Sequence, residues 1–125
     1  MKKLKGAETK LEKAVQRILN NKVEDGYPIE SVLKDLAYGG CASGTIGELI
    51  YYTDTIRFYK RHKKEIQALL RETEQDCGVS HQEMFGDKWD RDDIFAEDTN
   101  NQNLLAWFGF EETAINLADR NNIEV

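Results

Sequence analysis

Leu104-Leu105-Ala106-Trp107-Phe108-Gly109-Phe110 is apolar in every direction once it is wound into a helix. A helix without a polar face cannot lie on a surface. It has to be surrounded, so this stretch predicts a bundle with the C-terminal helix at its centre. Thr99 or Asn100 starts that helix.

The segments upstream carry the stripes that would enclose it. Leu11, Ala14, Val15, Ile18 and Leu19 recur at helical spacing and predict a first helix from about Glu8 to Asn21, ended by Asn20, Asn21 and Asp25-Gly26. Pro28 is the one proline of the chain, set where a missing N–H costs little. It opens a second helix that buries Ile29, Val32, Leu33 and Leu36 and stops at Gly39-Gly40. Ser43 caps a short helix through Ile46, Leu49 and Ile50. Thr53 or Asp54 caps the longest helix, whose inner seam is Tyr59, Ile66, Leu69, Leu70 and Thr73 and whose C-terminus is Cys77-Gly78. Ser80 and Glu83 form a capping-box pattern for a short turn through Met84 and Phe85. Residues 86–98 read as an acidic loop pinned by Trp89, Ile94 and Phe95. β-branched alternation is scarce. The expected fold is all-α, a compact bundle of about five to six helices forming one domain over residues 1–125.

Composition agrees with a globular chain: 125 residues, 40% hydrophobic and 32% charged. No apolar run approaches the roughly 20 residues of a membrane span. The basic residues Lys2, Lys3 and Lys5 lead into no apolar stretch, which argues against a signal peptide. Cys41 and Cys77 are therefore read as free thiols in a reducing cytoplasm, with no membrane partner.

The net charge of −6 hides opposite blocks. Residues 55–64 hold five basic side chains and no acid, whereas from residue 65 onward fifteen acids face four bases. On a helix, Arg57, Lys60, Arg61 and Lys64 share one face, which could meet phosphates or an acidic protein. Asp87, Asp90, Asp92, Asp93, Glu97 and Asp98 form the opposing candidate surface, able to occupy a basic groove as phosphates do.

Enzyme chemistry has one foothold. Cys41, inside Gly39-Gly40-Cys41-Ala42-Ser43-Gly44, precedes a helix start that could lower its thiol pKa, and His62 or His81 would have to act as base. The glycines are equally those of a tight turn between packed helices. Cys77 and His81 stand four apart with Gly78 between them, and the aspartate loop lacks the EF-hand glycine and glutamate. No metal and no cofactor is expected.

The runs Tyr38-Gly39-Gly40-Cys41-Ala42-Ser43-Gly44, Glu48-Leu49-Ile50-Tyr51-Tyr52-Thr53-Asp54-Thr55, Phe85-Gly86-Asp87-Lys88-Trp89-Asp90, Asn101-Gln102-Asn103-Leu104-Leu105-Ala106-Trp107-Phe108 and Phe110-Glu111-Glu112-Thr113-Ala114 together resemble a family of small proteins encoded by phages and mobile elements of Gram-positive bacteria. The likeness extends from about Ile29 to Ala118 and brings no catalytic or binding residue with it. It implies a bacterial host cytoplasm and a setting in which small acidic proteins often inhibit host defence, anti-CRISPR proteins among them.

The expectation is a non-enzymatic protein that docks by charge on a host protein or protein–nucleic-acid complex, with Tyr51, Tyr52, Trp89 or Phe95 as anchors where exposed. A cysteine-dependent enzyme using Cys41 and a nucleic-acid binder using the basic helix face are the alternatives. Oligomeric state stays open.

Overall fold

The computed structural model describes the backbone of residues 2–38 and 52–123, and the side chains of 2–33 and 54–123. Regular structure among the described residues is helical only: α1 Lys10–Glu24, α2 Ile29–Tyr38, α3 Tyr52–Cys77, α4 His81–Phe85, a 3-10 turn Gly86–Lys88 and α5 Thr99–Arg120. The all-α reading of the sequence holds. The chain divides into two compact units, one of residues 1–51 and 110–125 and one of residues 52–109.

In the first unit, Thr9 starts α1 with a reciprocal cap: its side chain accepts from the Glu12 N–H at 3.1 Å while the Glu12 carboxylate reaches back to the Thr9 N–H. Leu11, Val15, Leu19 and Val23 form the buried stripe, all fully enclosed, and α1 packs against α2. Helix α1 runs to Glu24, three residues past the expected end. Asn20 does not terminate it because its side chain is engaged sideways with the backbone of Leu4 and leaves the helical ladder intact. Pro28 opens α2 as expected, its carbonyl accepting from Ser31 and Val32. The Gly39-Gly40 stop and the short helix from Ser43 lie outside the described residues. Leu4, Ile29, Val32, Leu33 and Ile123 are buried in this unit as well, together with Phe110, Ala114, Leu117 and Ala118 of α5.

In the second unit, α3 is already helical at Tyr52, so Thr53 and Asp54 sit inside its first turn instead of capping it. Tyr59, Ile66 and Leu70 of the expected seam are buried, while Leu69 and Thr73 are half-buried. Phe58 and His62 are buried as well, with rings 4.9 Å apart. At His62 the backbone leaves helical geometry (φ −116°, ψ 18°). Gly78 closes α3 with φ +65°, the left-handed conformation that favours glycine at this position. Ser80 caps α4 by accepting from the Glu83 N–H at 3.3 Å.

Helix α5 contributes Leu104, Leu105 and Ala106 to the buried residues of the second unit, and Trp107 and Phe108 are half-buried. Gly109 is buried for want of room: a Cβ there would fall 2.6 Å from Ile66 Cγ1.

Candidate interaction surface

Arg57, Lys60, Arg61 and Lys64 are all exposed on α3, on the side away from buried Tyr59, Ile66 and Leu70. The 3.6-residue repeat produces this arrangement, because the apolar seam claims one side of the helix and leaves the cations the other. Arg57 pairs with Asp54 one turn earlier at 3.3 Å; it is the one cation of the four with an ion pair among the described residues. Such exposed pairs hold little energy, on the order of 0–1 kcal/mol, so the face remains available to a partner.

The acidic loop is organised differently. Asp98 is the N-cap of α5: its carboxylate accepts from the N–H groups of Asn100 at 3.0 Å and Asn101 at 3.4 Å, and its carbonyl accepts from Gln102. Asp93 accepts from the Phe95 N–H at 3.0 Å. The Asp90 carboxylate accepts from Asn100 Nδ2 at 3.4 Å. A proton shared with Asp98 once one of the two is protonated raises the pKa of Asp90 and lowers that of Asp98, the latter lowered further by the capped N–H groups. Three of the six acids therefore shape the loop, and exposed Asp87, Asp92 and Glu97 remain as outward charge.

Sequence reasoning missed the residues that hold this loop. Asn101 is fully buried, accepts from the Asp90 N–H at 2.8 Å and donates to the Asp93 carbonyl at 3.3 Å. Asn100 donates to the Lys88 carbonyl. The amide run Asn100-Asn101-Gln102-Asn103 beside an acidic loop was the available signal. Amides supply donors and acceptors together, so they can tie irregular backbone to a helix start.

The aromatic candidates are already engaged. Trp89 is half-buried and meets the His81 ring edge-on at 5.7 Å, and the Arg71 guanidinium lies 4.7 Å from the centre of half-buried Phe95. Tyr51 and the Tyr52 side chain lie outside the described residues, as does Cys41. Cys77 is an exposed free thiol, and His81 Nδ1 sits 3.1 Å from Glu74. Among the described residues no three metal-ligating side chains converge. Burial pushes the Tyr59 hydroxyl pKa up, and the nearby charges of Glu97 and Asp93 add to that. An open groove of about 470 Å³ lies along the end of α3, lined by Arg71, Glu74, Gln75, Gly78, Val79 and Ser80.

These features define an all-α protein with an exposed cationic helix face and no assembled catalytic constellation among its described residues. Residues 9–124 match the family model described as Domain of unknown function (DUF7222), and the chain belongs to that family. No curated protein and no solved structure matches it. No described helix is long and apolar enough to cross a membrane.

Proposed function

We propose that this chain is a non-enzymatic binding protein that docks on a partner protein by charge, with the face Arg57, Lys60, Arg61 and Lys64 as its docking surface. One observation carries the reading: four cations are exposed together on one side of a long helix whose other side is fixed in the interior. Acidic partners would be steered to such a face, and three loop acids are occupied with local structure. The finer setting rests on the sequence resemblance alone: a phage-type accessory protein whose target is a host protein, with a nucleic-acid-handling defence complex as the class of target.

The same face would suit a polyanion such as nucleic acid, and one experiment separates the two. The full chain and its Lys60→Glu/Lys64→Glu variant are used to capture partners from a Gram-positive host lysate, with and without nuclease. A protein retained after nuclease by the wild type and lost by the variant supports docking on a protein. Capture that disappears with nuclease moves the assignment to nucleic acid, and equal capture by both chains removes the basic face from the mechanism.

A further inference from the structure

The first turnless stretch of the chain is held by contacts that address its backbone. Asn20 pairs with Leu4 in both directions, its Oδ1 accepting from the Leu4 N–H at 2.8 Å and its Nδ2 donating to the Leu4 carbonyl at 2.9 Å. Asn121 treats Lys5 in the same way, at 3.1 and 2.9 Å. Gln16 Oε1 accepts from the Ala7 N–H at 3.1 Å, and Arg120 Nη1 donates to the Gly6 carbonyl at 3.1 Å. Side-chain selection falls on two positions of the bound stretch, and upstream of them Lys3 pairs with Glu24 at the surface. Leu4 is buried between exposed Lys3 and Lys5, and Gly6 has φ +87°, a conformation that disfavours any other residue.

A packing arm needs only its leucine covered. Paired amides matched to successive N–H and C=O groups, with a pocket for one side chain, are instead how proteins recognise peptides: the main chain supplies affinity and the pocket supplies choice. We propose that Gln16, Asn20, Arg120 and Asn121 form a peptide-recognition site, occupied in cis by the chain's own Leu4–Ala7, for which a partner segment of pattern Leu-x-Gly competes. A tethered segment acts at an effective concentration in the millimolar range, so a free peptide gains access mainly when the tether is released.

The test uses a fluorescent, N-acetylated peptide of residues 2–8 and two full-length chains, wild type and Leu4→Asp. The expected result is saturable binding to the Leu4→Asp chain, at least about tenfold tighter than to the wild type, and lost when Asn121→Ala is added. Absence of binding to a Leu4→Asp chain that retains helical circular dichroism overturns the proposal, as does binding that Asn121→Ala leaves unchanged. Should Leu4→Asp lose its helicity, the wild-type chain is titrated with millimolar peptide and followed by NMR. Progressive shifts of the Asn20 and Asn121 side-chain amides support the site, and unmoved resonances overturn it.

Discussion

Glu12 uses its two carboxylate oxygens for different purposes. Oε1 accepts from the N–H groups of Glu8 and Thr9 at 3.0 and 3.1 Å, and Oε2 meets the Arg120 guanidinium. The Arg120 hydrogen bond holds the Glu12 pKa at about 2, below its usual 4.5, against the opposing effect of burial. A depressed carboxylate stabilises the fold above its unfolded pKa and loses that contribution as pH falls through its folded one. Glu12→Gln keeps the N–H acceptor and removes the charge. It should cost on the order of 2 kcal/mol at pH 7, a discounted figure because Arg120 is 41% exposed. The gap between the two chains, read by denaturant unfolding, should narrow from about pH 4.5 toward about pH 2. Half-buried Glu111 and Glu112 have raised pKa values and act in the opposite sense, but they are common to both chains and cancel in the difference.

Gly109 makes a second prediction at the same scale. Its Cβ would meet Ile66 Cγ1 at 2.6 Å and Cδ1 at 3.0 Å, and Ile66 is fully buried, which leaves its side chain little room to give. Gly109→Ala gains up to about 1 kcal/mol of helix propensity and loses about 1–3 kcal/mol to overpacking, so net destabilisation is expected. In an Ile66→Ala background the clash is gone and Gly109→Ala should become neutral or stabilising. Urea unfolding of the four chains measures the coupling directly.

Among the elements, α1 shows how a cap written in four residues sets a boundary. Thr9→Ala removes the acceptor for the Glu12 N–H and should destabilise by about 1 kcal/mol, seen as a lower midpoint with an unchanged denaturant slope. A change in slope would mean that the α1 start does more than cap. The cap at Ser80, the proline start of α2 and the Gly78 stop were open to sequence reasoning, because each depends on a side chain or φ preference carried by a local residue. The Thr9 cap is equally local, but the apolar stripe alone puts the start at Glu8, two residues before Lys10. The end of α1 was not legible: whether Asn20 breaks the helix depends on Leu4, sixteen residues away. Nor was the break in α3 at His62, which has neither a proline nor a glycine beside it to announce it.

For the whole molecule, the decisive quantity is how partner affinity responds to salt. If the face on α3 binds a polyanion, the slope of log affinity against log salt should lessen by about one for each lysine changed to alanine at 60 and 64. A partner protein held by a few local pairs should show a shallower dependence, with Lys60→Glu/Lys64→Glu abolishing capture while leaving the melting temperature unchanged within about 2 °C. The cationic face was legible because helical period alone places Arg57, Lys60, Arg61 and Lys64 together. The acidic loop was legible only as charge. Which of its acids are consumed by caps and turns depends on Asn100 and Asn101 folding back over it, and spacing does not encode that.

The unit formed by residues 1–51 and 110–125 is interrupted by all of the other, so its order of assembly is set by synthesis. A ribosome adding about 5–20 residues per second makes Glu12 some 5–20 s before Arg120, a separation of 108 positions. Residues 52–109 are contiguous and can collapse while translation continues. The beginning of the chain must wait for its end, and a nascent polypeptide stalled before residue 110 would leave Glu12, Gly6 and Lys5 without their Arg120 and Asn121 partners.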